Sequence, residues 1–464
     1  MSDWQITTLG EIINTGNGLI QTGPFGSQLH ASDYVSLGVP VIMPINLVDN
    51  RISLDDVAYI TDDDANRLAK YILKAGDIVY SRRGDVTRKA LITEKEEGMF
   101  CGTGCLLIRP GYKVESKFLA YFLSTPSSKE WIIRHAVGAT MPNLNTSILS
   151  KVPLLLPDFS MQKRIAKILG DLDNKITLNR QINQTLESMA QAMFKSWFVD
   201  FEPVKAKMQA LENGGTEDDA NLAAMQAISG KTADQLATLK TQHLDQYQQL
   251  HHTASLFPTA MQTTELGEIP AGWQVKSLDA VAHYQNGLAL QKFRPEDEND
   301  FLPVVKIAQL KKGFTDGEEK ASPNINPSCI IDDGDVIFSW SGSLVVDIWC
   351  GGKAALNQHL FKVTSEDYPK WFYYYFTKHH LDEFQRIAQA KAVTMGHIKR
   401  EHLKQALCAV PANDLIRNLG IRIQSQLDKA IASRLENRTL TELRDTLLPK
   451  LLSGELQIST KDAR

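Results

Sequence analysis

"GDIVYSRRG", Gly76 to Gly84, returns 258 residues later as "GDVIFSWSG", Gly334 to Gly342. The glycines, the aspartate, the apolar trio and the serine keep their places, whereas Arg82-Arg83 becomes Trp340-Ser341. Three consecutive apolar residues behind a turn glycine read as a buried strand, and the closing glycine as the turn at its end. A repeat at this distance makes the chain two copies of one module, which settles the fold class before any single element is placed.

Outward from that strand the copies stay in order. Trp4-Gln5 matches Trp273-Gln274, Leu9 matches Leu278, and Asn17-Gly18-Leu19 matches Asn286-Gly287-Leu288, all at an offset of 269. Pro40 matches Pro303 at 263. Leu149 with Leu403, Pro157 with Pro411, Lys175 with Lys429, Arg180 with Arg434 and "NQTL" (Asn183 to Leu186) with "NRTL" (Asn437 to Leu440) hold at 254. An offset that only shrinks belongs to a second copy with shortened loops.

Each copy has two parts. Residues 1–157 and 265–411 mix strand-like runs ("DIVYS", "CLLIRP", "PVVKIA", "DVIFS") with Gly/Asn/Asp turns and helical patches such as "SKFLAYFLST", which reads as a mixed α/β domain. Residues 158–207 read as a long helix, and 412–464 as a second long helix with a C-terminal tail. In the first, Ile165, Leu169, Leu172, Ile176, Asn179, Asn183, Leu186, Ala190, Met193 and Trp197 follow the four-three spacing of a coiled-coil seam. In the second, Leu427, Ile431, Leu440, Leu443, Leu447 and Leu451 are apolar at a less regular helical spacing. Two equivalent helices in one chain predict that these seams meet. Asn179 and Asn183 interrupt the first seam, and Asn437 is the repeat counterpart of Asn183, so facing asparagines are expected to fix the register. Residues 208–264, polar and rich in Ala and Gln, have no equivalent after the second helix and read as a partly helical linker.

Composition narrows the class. A chain of 464 residues exceeds one ordinary core, and 43% hydrophobic with 22% charged residues is that of a globular protein without a membrane-spanning run. The opening "MSDWQITTLGEII" lacks the basic and apolar regions of a secretory signal, so a cytoplasmic location is expected. Cys101, Cys105, Cys329, Cys350 and Cys408 are odd in number and scattered, which predicts reduced thiols, and no further ligands flank the Cys101/Cys105 pair to complete a zinc site. A net charge of −4 does not favour nucleic acid unless cations concentrate on one face. No phosphate-binding loop and no His-Glu-x-x-His motif occurs. "FCGTGC" imitates the glycine loop of amino-methyltransferases, but a strand rather than a helix follows it, and no Asn/Asp-Pro-Pro-aromatic tetrapeptide exists. Pro157-Asp158 with Asp173-x-Lys175 spells a nuclease motif whose last members lie on a periodic helix. No catalytic residue and no metal site is therefore expected.

What remains is recognition. "SRRGDVTRK" gathers Arg82, Arg83, Arg88 and Lys89 beside Ser81 and a glycine, and arginine reads guanine edges as well as phosphate. The second copy offers Ser339, Trp340 and Ser341 at this tip, with Lys306 in "PVVKIA" as a further cation. A second tip precedes each long helix: "GATMPNLN" with Thr140, Asn143 and Asn145, against "AVTMGHIK" with Thr394, His397 and Lys399. Asparagine can pair with adenine, although Asn145 is equally placed to cap the helix that follows. A frame that stays while its tip changes is how a recognition loop on a scaffold behaves. A bivalent scaffold that binds proteins instead of DNA is the alternative.

The Gly-Asp-apolar-Ser frame, "TGPFGSQLHASDY" (Thr22 to Tyr34), "MQKRIAKILGDLDNKI" (Met161 to Ile176), "FKSWFVDFEPVKAK" (Phe194 to Lys207) and "ELGEIPAGW" (Glu265 to Trp273), in this order and partly duplicated, resemble the DNA-specificity subunits of type I restriction-modification systems along essentially the whole chain. The second copy carries "KFRPEDEND" (Lys292 to Asp300) where the first is read to carry its "GPFGS" turn. The resemblance implies two target-recognition domains held apart by two antiparallel helices about a pseudo-two-fold axis, each reading half of a bipartite DNA site. It implies no catalysis in this chain. Two modification subunits would hold S-adenosylmethionine and methylate adenine, and restriction subunits would use ATP and magnesium to cleave.

Overall fold

The computed structural model describes residues 4–48, 50–138, 142–390, 396–456 and 458. They form two compact units, Met1–Ile176 with Thr439–Arg464, and Thr177–Arg438. No helix among the described residues is long and apolar enough to cross a membrane.

The repeated strand explains its own composition. In the first unit Ile78–Ser81 lies inside an antiparallel four-stranded sheet of order Leu19–Thr22, Cys105–Arg109, Ile78–Ser81, Lys89–Leu91. Side chains alternate across a strand, and both faces here are covered. Ile78 and Tyr80 join a core with Leu9, Leu106, Phe118 and Leu149, while Val79 joins the opposite core with Val41, Phe100 and Leu107. An apolar run without alternation results. The second unit repeats the arrangement as His283–Asn286, Leu360–Thr364, Val336–Ser339, Val346–Ile348, with Val336 and Phe338 on one face and Ile337 on the other. Beside each sheet lies a second one containing a parallel pair, Phe100–Cys101 on Val39–Ile42 in the first unit and Val304-Val305 on Ala355-Leu356 in the second.

The hydrogen bonds also correct the sequence register. Gly23 N–H donates to Cys105 O (2.9 Å) and Gly287 N–H to Leu360 O (3.0 Å), so Gly23, not Gly18, is the counterpart of Gly287. The error arises because the helix after the first strand spans Leu9–Thr15 in one copy and only Leu278–Val281 in the other. Consequently "GPFGS" faces "GLALQ" (Gly287 to Gln291), and "KFRPEDEND" lies beyond it.

The first long helix spans Phe159–Phe198 and the second Asn413–Leu452. Of the ten seam positions in the first, Leu172, Asn183 and Met193 are half-buried and the other seven buried. The helices meet antiparallel. In the first unit Arg444 pairs with Asp173 at 2.9 Å, and Leu448, Leu451 and Leu452 share a core with the earlier residues Ile165, Ala166 and Leu169. In the second unit Asn179 Nδ2 donates to Asn437 Oδ1 (3.0 Å) and to Glu436 Oε2 (2.7 Å). Facing asparagines are thus present, with Asn179 rather than Asn183 opposite Asn437; Asn183 Oδ1 is buried without a hydrogen bond among the described residues. Ile176, Leu186 and Leu427 are buried, and Ile431, Leu440 and Leu447 half-buried.

The first helix ends short of residue 207. Phe201 takes a left-handed conformation (φ 55°) and Pro203, which lacks an N–H, opens a new helix, Glu202–Glu212. Through the stretch read as linker run the helices Glu217–Ser229, Ala233–Gln242 and Leu244–Ser255 and the hairpin Met261–Thr264/Gly267–Pro270. Val204, Met225, Leu236, Leu250 and Phe257 pack with Phe198 and Trp273 into the second unit's core. Lys207 fastens the set, donating to the carbonyls of Ala254 (3.0 Å) and Phe257 (2.8 Å) at a helix end that favours a cation.

Candidate nucleic-acid interface

The frame serine holds the turn that follows it. Ser81 Oγ donates to Arg83 O at 2.9 Å, and Ser339 Oγ to Ser341 O at 3.1 Å. Gly84 (φ 74°) and Gly342 (φ 65°) then take the left-handed conformation that glycine adopts without steric cost. Asp77 and Asp335, the frame aspartates, accept from the backbone N–H groups of Lys74 and Asp332 and pair with Arg109 and Lys362. The constant residues therefore build the turn and do not project from it.

In each copy this turn is joined to the segment before the long helix, about sixty residues away in sequence. Gly84 N–H donates to Pro142 O (3.2 Å), Leu144 N–H to Arg82 O (2.8 Å), and Arg83 bridges Asn143. The second copy repeats the pattern: Gly342 N–H to Gly396 O (2.8 Å), Ile398 N–H to Trp340 O (3.0 Å), and Ser341 bridging His397. Leu144 and Ile398 are buried and anchor the junction. A third contact, Arg82 N–H to Gly104 O (2.9 Å), matches Trp340 N–H to His359 O (3.3 Å). Two tips separate in sequence are one edge in each unit.

The edges carry different chemistry. In the first, Arg83 is exposed and Arg82 half-buried, its guanidinium 5.7 Å from the centre of the Phe25 ring. Neither arginine forms an ion pair among the described residues. In the second, Trp340 is half-buried against Phe361 (5.8 Å), His359 (5.8 Å) and His397 (6.4 Å between ring centres). His397 and Lys399 are exposed, with Lys399 Nζ 3.8 Å from Glu401. Six buried side-chain polar atoms lack a hydrogen bond among the described residues, and three of them, Arg82 Nε, Asn143 Oδ1 and Trp340 Nε1, lie on these edges. Each such atom calls for a partner from outside the chain, water or ligand.

Other predicted contacts sit elsewhere. Lys89 is only 2% exposed: it is the cross-strand partner of Tyr80, and its Nζ donates to Asn50 Oδ1 (2.8 Å) and Ser124 Oγ (2.6 Å). Burial, with the nearby Lys129 charge adding to it and Asp173 opposing it, pushes its pKa down to about 7. Ser81, Ser339 and Ser341 are buried too, Ser341 Oγ lying 2.9 Å from His359 Nδ1. Arg88 is exposed but paired with Asp85 (3.3 Å), and Lys306 is paired with Glu319. Asn145 Oδ1 accepts from Ile148 N–H (2.8 Å) and caps the helix Thr146–Ser150. Thr140 and Thr394 lie outside the described residues. Sequence reasoning did not single out Phe25 or His359; the first stood in a glycine turn quoted only for its resemblance, and the second carried no local signal.

Among the described residues no group of three or more His, Cys, Asp or Glu is placed to hold a metal ion. All five cysteines are free and buried.

A family model for the type I restriction modification DNA specificity domain matches residues 1–188 and 270–444. The type I restriction enzyme HindI specificity subunit of Haemophilus influenzae is 28% identical over 98% of this chain and 100% of its own length. The MjaIX specificity subunit of Methanocaldococcus jannaschii is 23% identical over 86% of this chain and 82% of its own. In fold, the chain is similar to the crystal structure of a type I restriction-modification S subunit from M. genitalium, with a TM-score of 0.50 at 13% identity over 98% of this chain and 97% of that one.

Proposed function

The chain belongs to the type I restriction-modification DNA specificity family, and from that premise we propose that it reads a bipartite, interrupted DNA site, one half with the edge of each copy. The observation that carries this reading is the pair of edges closed by the same backbone hydrogen bonds while Arg82, Arg83 and Asn143 in one become Trp340, Ser341 and His397 in the other. A constant frame with exchanged side chains suits two half-sites of different sequence. Unpaired arginines beside an orphaned asparagine oxygen suit guanine and adenine edges in a major groove.

The long helices, shared between the units, are the natural docking surface for two modification subunits, with restriction subunits joining through them. Adenine methylation, ATP hydrolysis and strand cleavage then fall to those partners, which would hold S-adenosylmethionine, ATP and magnesium. Such a complex works in the cytoplasm, where its DNA is.

Mapping methylated adenines in a host that expresses the protein with its modification subunit tests the reading. Arg82→Ala or Arg83→Ala should relax the first half-site by about 1–3 kcal/mol per lost base contact and leave the second half-site intact. Uniform weakening over all sequences would reduce these residues to phosphate contacts. Binding that does not fall with ionic strength would favour the protein scaffold, because phosphate contacts release counterions.

A further inference from the structure

The corrected register exposes an exchange between the copies. With Gly23 equivalent to Gly287, Phe25 stands where the second copy has Ala289, and Arg82 stands where it has Trp340. One edge carries an aromatic ring on its glycine turn and an arginine on its strand tip. The other carries a small residue on the turn and the aromatic ring on the tip.

Phe25 is 53% exposed, and its backbone is held firmly. Phe25 O accepts from the N–H groups of Gln28 (2.8 Å) and Leu29 (3.2 Å), and its own N–H donates to Gln28 Oε1 (3.3 Å). Gln28 is tied in turn to the buried Tyr71, whose hydroxyl donates to the same Oε1 at 2.8 Å, and to Arg67, which donates to Gln28 O at 3.1 Å. A turn held in this way presents an exposed ring to a guanidinium that, among the described residues, has no carboxylate partner and whose Nε is buried without a hydrogen bond. Both Arg82 backbone groups are also fixed, N–H to Gly104 and O to Leu144. No side-chain hydrogen bond holds Arg82 among the described residues, and the Phe25 ring stands over its guanidinium.

We propose that Phe25 is a specificity-determining residue of the first half-site: it holds the Arg82 guanidinium in one plane so that its fork meets a single base position. The inference rests on the DNA-recognition reading and deepens it. An arginine contributes base discrimination only while its fork is aligned with the base edge, and a flat partner restricts the guanidinium without competing for its donors. In the second copy Trp340 already packs on His359, Phe361 and His397, and the turn position equivalent to Phe25 carries Ala289.

The test uses the full chain assembled with its modification subunit, scored by methylation mapping. Phe25→Ala should relax the same base position that Arg82→Ala relaxes, by about 2- to 30-fold in discrimination, the range of a cation–π contact. The double substitution should be no worse than Arg82→Ala alone, Phe25→Trp should keep the specificity, and the second half-site should not change. Relaxation at a different position, additive losses, or unchanged specificity in Phe25→Ala beside a relaxed Arg82→Ala would overturn the inference while leaving DNA recognition standing. Should the unaltered protein direct methylation to no defined sequence, the underlying reading falls, and this one with it.

Discussion

The two edges agree in backbone and disagree in side chain. Three hydrogen bonds close each of them in the same pattern, and a buried serine supports each turn, yet one presents unpaired cations beside Phe25 and the other a tryptophan packed among His359, Phe361 and His397. The difference teaches where this module tolerates change. The serine and aspartate of the frame, whose side chains satisfy backbone groups, repeat; Arg82, Arg83 and Asn143, whose side chains leave the turn, do not.

The largest expected effect breaks the shared frame. A Cβ on Gly23 would stand 2.0 Å from Gly102 O, and one on Gly287 2.3 Å from Asn357 O, both backbone atoms that cannot swing aside. Gly23→Ala and Gly287→Ala should each cost about 3 kcal/mol, read as a lower midpoint in thermal unfolding. A copy that accepts the methyl without loss does not share the frame.

Lys89 sharpens the comparison, because the register places Val346 at its position in the second copy. Its folded pKa, pushed down to about 7, lies below that of an unfolded lysine, so between about 7 and 10 the unfolded chain binds the extra proton. Stability of the first unit should therefore rise with pH from about 7, by up to about 1 kcal/mol per pH unit, and the cost of burying the charge is fully present below it. Lys89→Val should flatten that slope in chemical denaturation run at pH 7 and pH 8.5. A slope identical in both proteins would show that Lys89 is not the group responsible.

The smallest effect is also the most symmetrical. Ser81→Ala and Ser339→Ala each remove one hydroxyl that satisfies a turn carbonyl, and each should cost about 0.5–1.5 kcal/mol. Ser339 Oγ also reaches Ser343 O, at 2.9 Å, so the second loss should be the larger. Equal losses of half-site discrimination alongside would mean that the serines orient the tips as well as hold them.

The sequence made the periodic parts legible. A four-three seam names its own buried face, and an apolar trio between glycines names a strand covered on both sides. The junction of turn and pre-helix segment was not legible, since nothing in "SRRG" announces a partner sixty residues on. Lys89 read as an exposed cation because a lone lysine in "RKALI" carries no sign that its strand is covered. The stretch 208–264 hid its fold for another reason: its helices are short, and the core they face, around Phe198 and Trp273, lies outside the segment. The offset error at Gly18 came from trusting the tripeptide Asn17-Gly18-Leu19 across a helix that differs in length between the copies.

Leu448, Leu451 and Leu452 complete the core that begins at Leu9, so the first unit is built from both early and late parts of the chain. Between Ile176 and Thr439 lies the whole of the second unit. At about 5–20 residues per second, a ribosome needs roughly 10–50 s to cross that stretch. Throughout that interval the nascent first unit lacks the three late leucines of its core, and the second can finish before it. The part begun first can thus be the part closed last, and an mRNA cut short after the second unit should yield a first unit without Leu448, Leu451 and Leu452.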